Sequence, residues 1–341
     1  MVKCLATEHN EIYRGLPGVE VPVGKALVSL SEMWEAPASS EGSRAPSEFR
    51  ASRMNFILHF GFEATTEEAT ELFNSVIRFS RRYPCRIIAL CPSKDENATG
   101  QGIVCKIFSE CYIGEGSGDM SCCEAIIFGY TLKEKQYLED QISIFLESDL
   151  PTYYWPYRFD SPENLSDYQS FFKNVNRVVI DATCESYQLD DLKIDEPEKV
   201  HDLAYARTLS VRQSIGQFFS AFPVEKIVDG LTGIEMMAPN KFEAEMHALN
   251  TWIQGILGDC GSRVEASGSE KGYSHSLSLD PKAVPVLRFV YSNDQFAECV
   301  LDFGSGVAHI KANIGGEEHE MNAAIHLLDP DDALAEALFF G

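Results

Sequence analysis

A strand–helix–strand pattern in the first half of the chain limits the fold more than any other stretch. Residues 54–60 form a nearly continuous apolar run, which predicts a buried strand. Thr65 and Glu68 have the spacing of a capping box, so a helix is expected to begin there, and Pro84 ends it. A second apolar run follows at residues 86–91. This order predicts a βαβ unit with parallel strands and a right-handed crossover.

Further strands and helices extend this unit into a domain. Strands are predicted at 103–108, 124–130 and 177–181, with a helix over roughly 133–147. We therefore expect an α/β domain over residues 50–186, with a mixed sheet built from βαβ units and helices on its faces. Residues 1–49 read as an N-terminal arm and a Pro/Ser-rich linker.

The hydrophobic period changes to two in the last third of the chain. Apolar residues at even positions from Ala308 to Ile314 alternate with polar ones, and glycine pairs supply hairpin turns. This pattern predicts an α+β domain over residues 187–341 that contains an antiparallel β-meander.

A helix predicted over about 202–219 is placed at the junction of the two domains. Leu203, Val211 and Ile215 recur at helical spacing, and Arg207 falls on the same apolar stripe. A guanidinium there either forms an internal ion pair or faces a ligand or partner, because an unpaired buried charge is costly. Both interpretations stay open from the sequence. Arg212 lies on a flanking face of the helix.

The formal net charge of −24 limits the partners that the chain can bind. An acidic surface repels phosphate backbones and anionic membranes, so neither nucleic acid nor membrane is expected as a partner. No stretch approaches the ~20 apolar residues of a membrane span, and the N-terminus lacks the apolar region of a signal peptide. We expect a cytoplasmic protein. A phosphorylated small molecule is not excluded, but it would need a local cluster of arginines.

The ten cysteines show neither a C-x-x-C motif nor zinc spacing, and most are expected to be small buried hydrophobes. Cys122 and Cys123 are adjacent, which is poor geometry for a disulfide between them. Cys105 and Cys111 are a candidate redox pair that flanks one loop.

Motifs for covalent chemistry are missing. There is no H-E-x-x-H and no G-x-S-x-G, and the glycine-rich stretch 114–119 is better explained as a hairpin tip than as a phosphate loop. His59 lies inside an apolar strand, which favours a satisfied core residue over a general base. Asp181 and Cys91 lie towards the carboxyl ends of strands, where ligands usually bind. No catalytic residue, metal site or cofactor is predicted.

Three consecutive aromatic residues, Tyr153, Tyr154 and Trp155, follow the predicted helix at 133–147. Residues of this type are enriched at interface hot spots. Packing in the core is the other interpretation, and the sequence does not decide between them.

Six short motifs occur in an order that we recognise. They are Arg50, Ser52 and Asn55; Tyr83-Pro84-Cys85-Arg86; Cys122-Cys123-Glu124; Asp149-Leu150-Pro151 followed by Trp155; Asn176 to Asp181; and Asp202, Arg207 and Arg212, with Tyr205 and Val211 where the pattern has tryptophans. With these motifs the chain resembles the bacterial glucose-6-phosphate dehydrogenase assembly protein family, OpcA, over about residues 50–260.

The resemblance implies a non-enzymatic subunit that binds glucose-6-phosphate dehydrogenase, promotes its oligomerisation and raises its activity. We expect the polar motif residues to build one buried network that holds the two domains and shapes a partner surface. The predicted site residues are Asn55, Arg86, Glu124, Trp155, Asp181, Asp202, Arg207 and Arg212.

Two other hypotheses remain. One is an enzyme or sensor that binds a phosphorylated small molecule at the carboxyl edge of the strands through Arg86, Arg207 or Arg212. The other is a redox-switched adaptor.

Overall fold

Two compact units make up the chain. One is formed by Met1–Asp202 together with Leu334–Gly341, and the other by Leu203–Ala333. The predicted domain boundaries near residues 49 and 186 stay predictions. The computed structural model describes residues 11–35, 52–94, 102–113, 120–185, 192, 195–264 and 273–340.

The first unit contains an eight-stranded mixed sheet. Its order is β1-β4-β5-β3-β2-β6-β7-β8; the strands from β5 to β8 in this order are mutually parallel, and β4 is antiparallel to both of its neighbours. The strands are β1 (Val19–Val21), β2 (Met54–Phe60), β3 (Cys85–Ser93), β4 (Val104–Ile113), β5 (Met120–Thr131), β6 (Thr152–Tyr157), β7 (Arg177–Ile180) and β8 (Val200–Asp202).

Among the described residues, six α-helices precede the last strand of this sheet, and the predicted α/β class is confirmed. They are α1 (Glu11–Gly15), α2 (Ala26–Glu35), α3 (Thr66–Arg82), α4 (Lys135–Ser143), α5 (Pro162–Ser166) and α6 (Gln169–Lys173). The βαβ unit is β2-α3-β3. The amide of Glu68 donates to Thr65 Oγ1 over 3.2 Å, and the amide of Thr65 donates to Glu68 Oε2 over 3.0 Å. The capping box therefore begins α3 as predicted.

The N-terminal arm is part of this unit. Strand β1 pairs with β4 and forms one edge of the sheet. Ala26 and Leu30 on α2 are fully buried in the core of the unit. The linker predicted at residues 36–47 lies outside the described residues.

The second unit contains a six-stranded sheet in the order β10-β9-β11-β12-β13-β14. Strands β11 to β14 form the predicted antiparallel meander, while β10 runs parallel to β9. The elements are α7 (Leu203–Arg207), α8 (Leu209–Phe219), α9 (Val224–Val228), β9 (Leu231–Ala238), α10 (Glu243–Val264), β10 (Ser274–Leu279), β11 (Val286–Tyr291), β12 (Phe296–Asp302), β13 (Val307–Ile314) and β14 (Glu317–Ala324).

Alternation along β13 places one face of this sheet in the core. Ala308, Ile310 and Ala312 are buried against apolar residues of α8 and α10, whereas His309 and Lys311 are exposed. A last helix, α11 (Pro330–Phe339), ends the chain.

The helix predicted over about 202–219 is interrupted. Asp202 ends strand β8, and α7 and α8 are separated at Thr208. The Thr208 hydroxyl and amide both donate to the carbonyl of Tyr205, at 2.8 and 3.1 Å. This tight turn closes α7, because a threonine hydroxyl competes with the helical ladder for backbone acceptors.

The C-terminal residues pack within the first unit. The ring of Phe339 lies 4.8 Å from that of Tyr83 and 6.2 Å from that of Phe79. Arg177 Nη1 donates to the carbonyl of Ala337 over 2.8 Å. Phe340 is exposed, whereas Phe339 is held in this aromatic cluster.

His59 is a satisfied core residue, as predicted. Its Nδ1 lies 2.8 Å from the hydroxyl of Tyr154, and its Nε2 lies 2.6 Å from the hydroxyl of Tyr130. The hydroxyl of Tyr130 continues the chain to that of Tyr168 over 2.9 Å. Burial, together with the charge of Lys135, lowers the pKa of His59 to about 3. The imidazole is therefore neutral at physiological pH.

A disulfide joins Cys111 and Cys122, which lie directly opposite each other on β4 and β5. The candidate redox pair Cys105 and Cys111 is therefore wrong. Cys105 is a buried free thiol, and burial raises its pKa to about 12. The pairing depends on the register of the β4–β5 hairpin, whose tip at 114–119 lies outside the described residues.

Within the described part of the chain, none of the helices combines the length and the apolar character that a membrane span requires.

We predict that His59 makes stability fall as the pH falls below about 6.5. The unfolded chain binds a proton there and the native protein does not, so this residue contributes about 1.4 kcal/mol per pH unit down to about pH 3. Urea unfolding at pH 7 and pH 5 should show a smaller pH dependence for His59→Gln than for the wild type. His309→Gln, which changes an exposed histidine, is the control. Equal pH dependences of the wild type and His59→Gln would contradict the assignment.

We predict that reduction of the Cys111–Cys122 disulfide lowers the free energy of unfolding by about 3 kcal/mol, because the bridge closes a short loop in the unfolded chain. Urea unfolding with and without dithiothreitol measures the change. The Cys111→Ser/Cys122→Ser variant should match the reduced wild type and be insensitive to dithiothreitol. If dithiothreitol still destabilised the double serine variant, the stability change would come from a bond other than Cys111–Cys122.

Candidate functional site

Buried polar side chains gather at the amino ends of the central parallel strands. Asn55 and Arg86 are the second residues of β2 and β3, and they are register partners. Glu124 on β5 is level with Arg86, and Thr152 begins β6 beside Asn55. With Glu147, which precedes β6, these residues form what we call the amino-edge network.

Arg86 is the centre of this network. Its Nε donates to Glu124 Oε1 over 2.6 Å, and its Nη2 lies 2.5 Å from Glu147 Oε1. Nη1 donates to the carbonyl of Phe145 over 3.0 Å. Arg86 and Glu124 are buried, and such charges are tolerated only when they are paired and hydrogen-bonded. The guanidinium thus ties β3 to β5 and to the chain that follows α4.

Asn55 fixes the same segment from the other side. Its Oδ1 accepts from the amide of Glu147 over 2.9 Å, and its Nδ2 donates to the carbonyl of Glu147 over 2.9 Å. The same Nδ2 lies 3.1 Å from Thr152 Oγ1, and the amide of Asn55 donates to the carbonyl of Pro151. Asn55 therefore holds residues 147–152 with both its side chain and its backbone.

Asn176, which precedes β7, holds the backbone of Thr152 through two hydrogen bonds. Its Oδ1 accepts from the amide of Thr152, and its own amide donates to the carbonyl of Thr152, both over 2.8 Å. Arg86, Asn55 and Asn176 thus each hold main chain with a side-chain group, while Glu124 and Glu147 pair with the Arg86 guanidinium. An arrangement of this kind orients residues 144–151, and it does not present an activated nucleophile or a poised base.

Asp181 and Asp202 lie at the opposite, carboxyl edge of the sheet. Asp181 Oδ1 accepts from the amide and the hydroxyl of Thr183, at 3.1 and 2.6 Å. Asp202 Oδ1 accepts from the amide of Ala182 over 3.1 Å. Both carboxylates thus order the turn after β7.

The point where a ligand would be expected at this edge is filled by protein. Strands β3 and β5 lie on one side of β2, and β6, β7 and β8 lie on the other, so the topological switch point of the sheet is between β2 and β6. Open α/β sheets bind ligands at such a point. Here Gly61 packs so closely that a Cβ would lie 2.1 Å from the carbonyl oxygen of Arg158. Arg158, whose φ is +59°, donates from Nη2 to Glu68 over 2.5 Å and from Nη1 to the carbonyl of Cys184 over 2.9 Å.

The nearby thiol is not activated. Burial and the neighbouring Asp181 raise the pKa of Cys184 to about 11, so that the thiol is protonated at neutral pH. A ligand site at the carboxyl edge that uses Arg86 is wrong, because Arg86 is the second residue of β3 and lies at the amino edge.

Arg207 and Arg212 have separate environments in the second unit. Arg207 Nε donates to Glu245 Oε1 on α10 over 3.0 Å, and both side chains are largely buried. This is the internal ion pair considered from the sequence. The guanidinium of Arg212 lies 3.9 Å above the ring of Tyr205. A tyrosine supports such a cation–π contact where the family pattern has a tryptophan.

Trp155 and its neighbours are core residues. All six residues of β6 are buried, and the Trp155 ring contacts those of Phe56 and Tyr157 edge-on at 6.3 and 6.4 Å. Of the two interpretations of this stretch, interface hot spot and core packing, the structure shows core packing. Strand β6 is an inner strand of the sheet and all of its residues are buried.

The six predicted site residues of the first unit therefore do not form one cluster. Asn55, Arg86 and Glu124 are joined at the amino edge, and Asp181 and Asp202 order a turn at the carboxyl edge. Sequence reasoning missed Glu147 and Thr152. The sequence feature that could have indicated them is their position on either side of the Asp149-Leu150-Pro151 motif. That the predicted residues bind a partner stays a prediction.

Comparison with known proteins finds similarity to one family and to one relative. Residues 77–194 match the family described as the glucose-6-phosphate dehydrogenase subunit N-terminal domain. The chain is 23% identical over 262 residues to the putative OxPP cycle protein OpcA of Synechococcus elongatus, which covers 72% of this chain. The chain spans 56% of the length of that relative. No solved structure matches the chain.

We predict that Arg86→Met destabilises the protein by about 3–5 kcal/mol, because it leaves Glu124 buried without its cation. Arg86→Met/Glu124→Leu should regain much of this loss, since the uncompensated charge is gone. The control is Arg288→Met, which removes the exposed pair with Glu298 and should cost at most about 1 kcal/mol. Urea unfolding measures all three variants. If Arg86→Met costs no more than Arg288→Met, the amino-edge network does not support the fold.

Proposed function

We propose that the chain is a member of the OpcA family of glucose-6-phosphate dehydrogenase assembly proteins, and that it is a non-catalytic subunit that binds that dehydrogenase. We further propose that binding promotes oligomerisation of the dehydrogenase and raises its activity in the oxidative pentose phosphate pathway. The chain would act by protein–protein contact in the cytoplasm.

One observation carries the proposal. Asn55, Arg86 and Glu124 belong to the motifs that carry the family resemblance; Asn55 and Arg86 hold main chain in the amino-edge network, and Glu124 pairs with Arg86. Residues that catalyse a reaction need an atom directed at a substrate, with a nucleophile or base beside it. These side chains instead orient the exposed residues 147–149, which is what a binding subunit requires.

The groups that are usually capable of covalent chemistry support the same conclusion. His59 is enclosed and neutral, with both ring nitrogens in contact with tyrosine hydroxyls. Burial raises the pKa values of the Cys91 and Cys299 thiols, which keeps them protonated. Nucleophilic cysteines need a lowered pKa and access to solvent.

The charge of the chain favours a protein partner. A net charge of −24 opposes nucleic acid and anionic membranes, whereas a protein surface can offer lysines and arginines at the points of contact. Association with such a surface is expected to be fast at low ionic strength and slower in salt.

We predict that the purified chain and the cognate glucose-6-phosphate dehydrogenase co-elute in size-exclusion chromatography, and that the complex has a higher activity and a larger mass than the dehydrogenase alone. An unrelated protein of similar acidity is the control for non-specific charge effects. Light scattering gives the mass, and reduction of the nicotinamide cofactor gives the activity. If the dehydrogenase elutes unchanged and its activity is unaltered, the proposal is wrong.

A further inference from the structure

The outer side of α4 and the turn after it carry apolar side chains that none of the described residues of the first unit covers. Tyr137 and Ile144 are 58% and 64% exposed, and they are seven residues apart, so they lie on one side of the helix. Exposed polar residues accompany them. We call the following residues the α4 face: Tyr137, Asp140, Gln141, Ile144, Ser148 and Asp149.

The opposite side of α4 fixes this orientation. Leu138, Ile142 and Phe145 are buried in the core of the first unit. Because three anchors lie along the inner side, the helix cannot rotate to bury Ile144 without exposing them. The exposure of Tyr137 and Ile144 is therefore a fixed property of the packing.

The amino-edge network fixes the turn after the helix as well. Arg86 holds the carbonyl of Phe145, and Asn55 holds both the amide and the carbonyl of Glu147. The residue after Ile144 and residues on both sides of Asp149 are thus held by Arg86 and Asn55. A binding surface that is rigid before contact loses less entropy when a partner binds.

The charge of this surface indicates which kind of partner it can bind. The α4 face carries two carboxylates, Asp140 and Asp149, and contains neither lysine nor arginine. Two copies of the chain that met through this surface would bring like charges together, which opposes self-association. A partner with an apolar pocket bordered by lysines or arginines would satisfy both the exposed apolar groups and the carboxylates.

We propose that the α4 face is the surface through which this chain docks on a protein partner with a basic rim around an apolar pocket. The inference rests on the proposed function, and the partner is then the dehydrogenase. Tyr137 and Ile144 are the anchors that enter the pocket, and Asp140 and Asp149 lie at the rim. The network formed by Asn55, Arg86 and Glu124 is the support that positions the face.

The test compares the affinity of single variants for the cognate dehydrogenase. Ile144→Asp and Tyr137→Asp should each weaken binding by about tenfold or more, as expected for anchor residues. Val284→Asp, which changes a half-exposed apolar residue of the second unit, should bind as the wild type does. Asp140→Lys/Asp149→Lys should slow association and make it less sensitive to salt. Unfolding midpoints check that each variant is folded, and Tyr137→Asp replaces Ile144→Asp if the latter is destabilised.

The outcomes are distinguishable. Binding of both anchor variants at wild-type affinity overturns the docking surface while the proposed function stands, and loss of binding in Val284→Asp alone does the same. If the wild type binds no dehydrogenase, the proposed function fails and this inference fails with it. Sedimentation of the chain alone is the last check, because a wild-type dimer that Ile144→Asp converts to a monomer would show that the occupant is a second copy.

Discussion

The Arg86 guanidinium at the amino ends of the parallel strands constrains the first unit more than any other single group. A buried cation must have its charge and its donors satisfied, and here the partners come from β5 and from the chain between α4 and β6. The ion pair with Glu124 fixes the position of β5 beside β3. The hydrogen bond to the carbonyl of Phe145 fixes the course of the chain after α4. Apolar packing of the same strands would bring them together without specifying where that chain lies.

The same requirement explains why the polar side chains of these motifs contact other protein groups in the fold. Asn55 adds side-chain hydrogen bonds to the backbone pairing of β2, because an amide offers both a donor and an acceptor to the backbone of Glu147. Arg207 and Glu245 repeat the arrangement between two helices of the second unit. In each case a charged or amide group orients one element against another, and the exposed surface beside it is shaped as a consequence.

Much of the fold followed from local patterns. The capping box at Thr65, the apolar runs of β2 and β3 and the alternation along β13 each depend on residues close in sequence, so they were predictable. The break at Thr208 was not, since threonine is tolerated inside helices and its hydroxyl closed a turn only in this context. The Cys111–Cys122 disulfide escaped prediction because hairpin register determines which cysteines are opposite.

What the sequence determined by itself was the class of the protein: an acidic chain with α/β and meander parts, and polar motifs without a nucleophile and base beside them. Only the tertiary structure decided which polar residues meet. Asn55, Arg86 and Glu124 are far apart along the chain, and parallel pairing of β2, β3 and β5 makes them neighbours. It also buried Trp155 and left Ile144 in solvent, because burial depends on which strands and helices cover a residue, and hydrophobicity alone does not decide it.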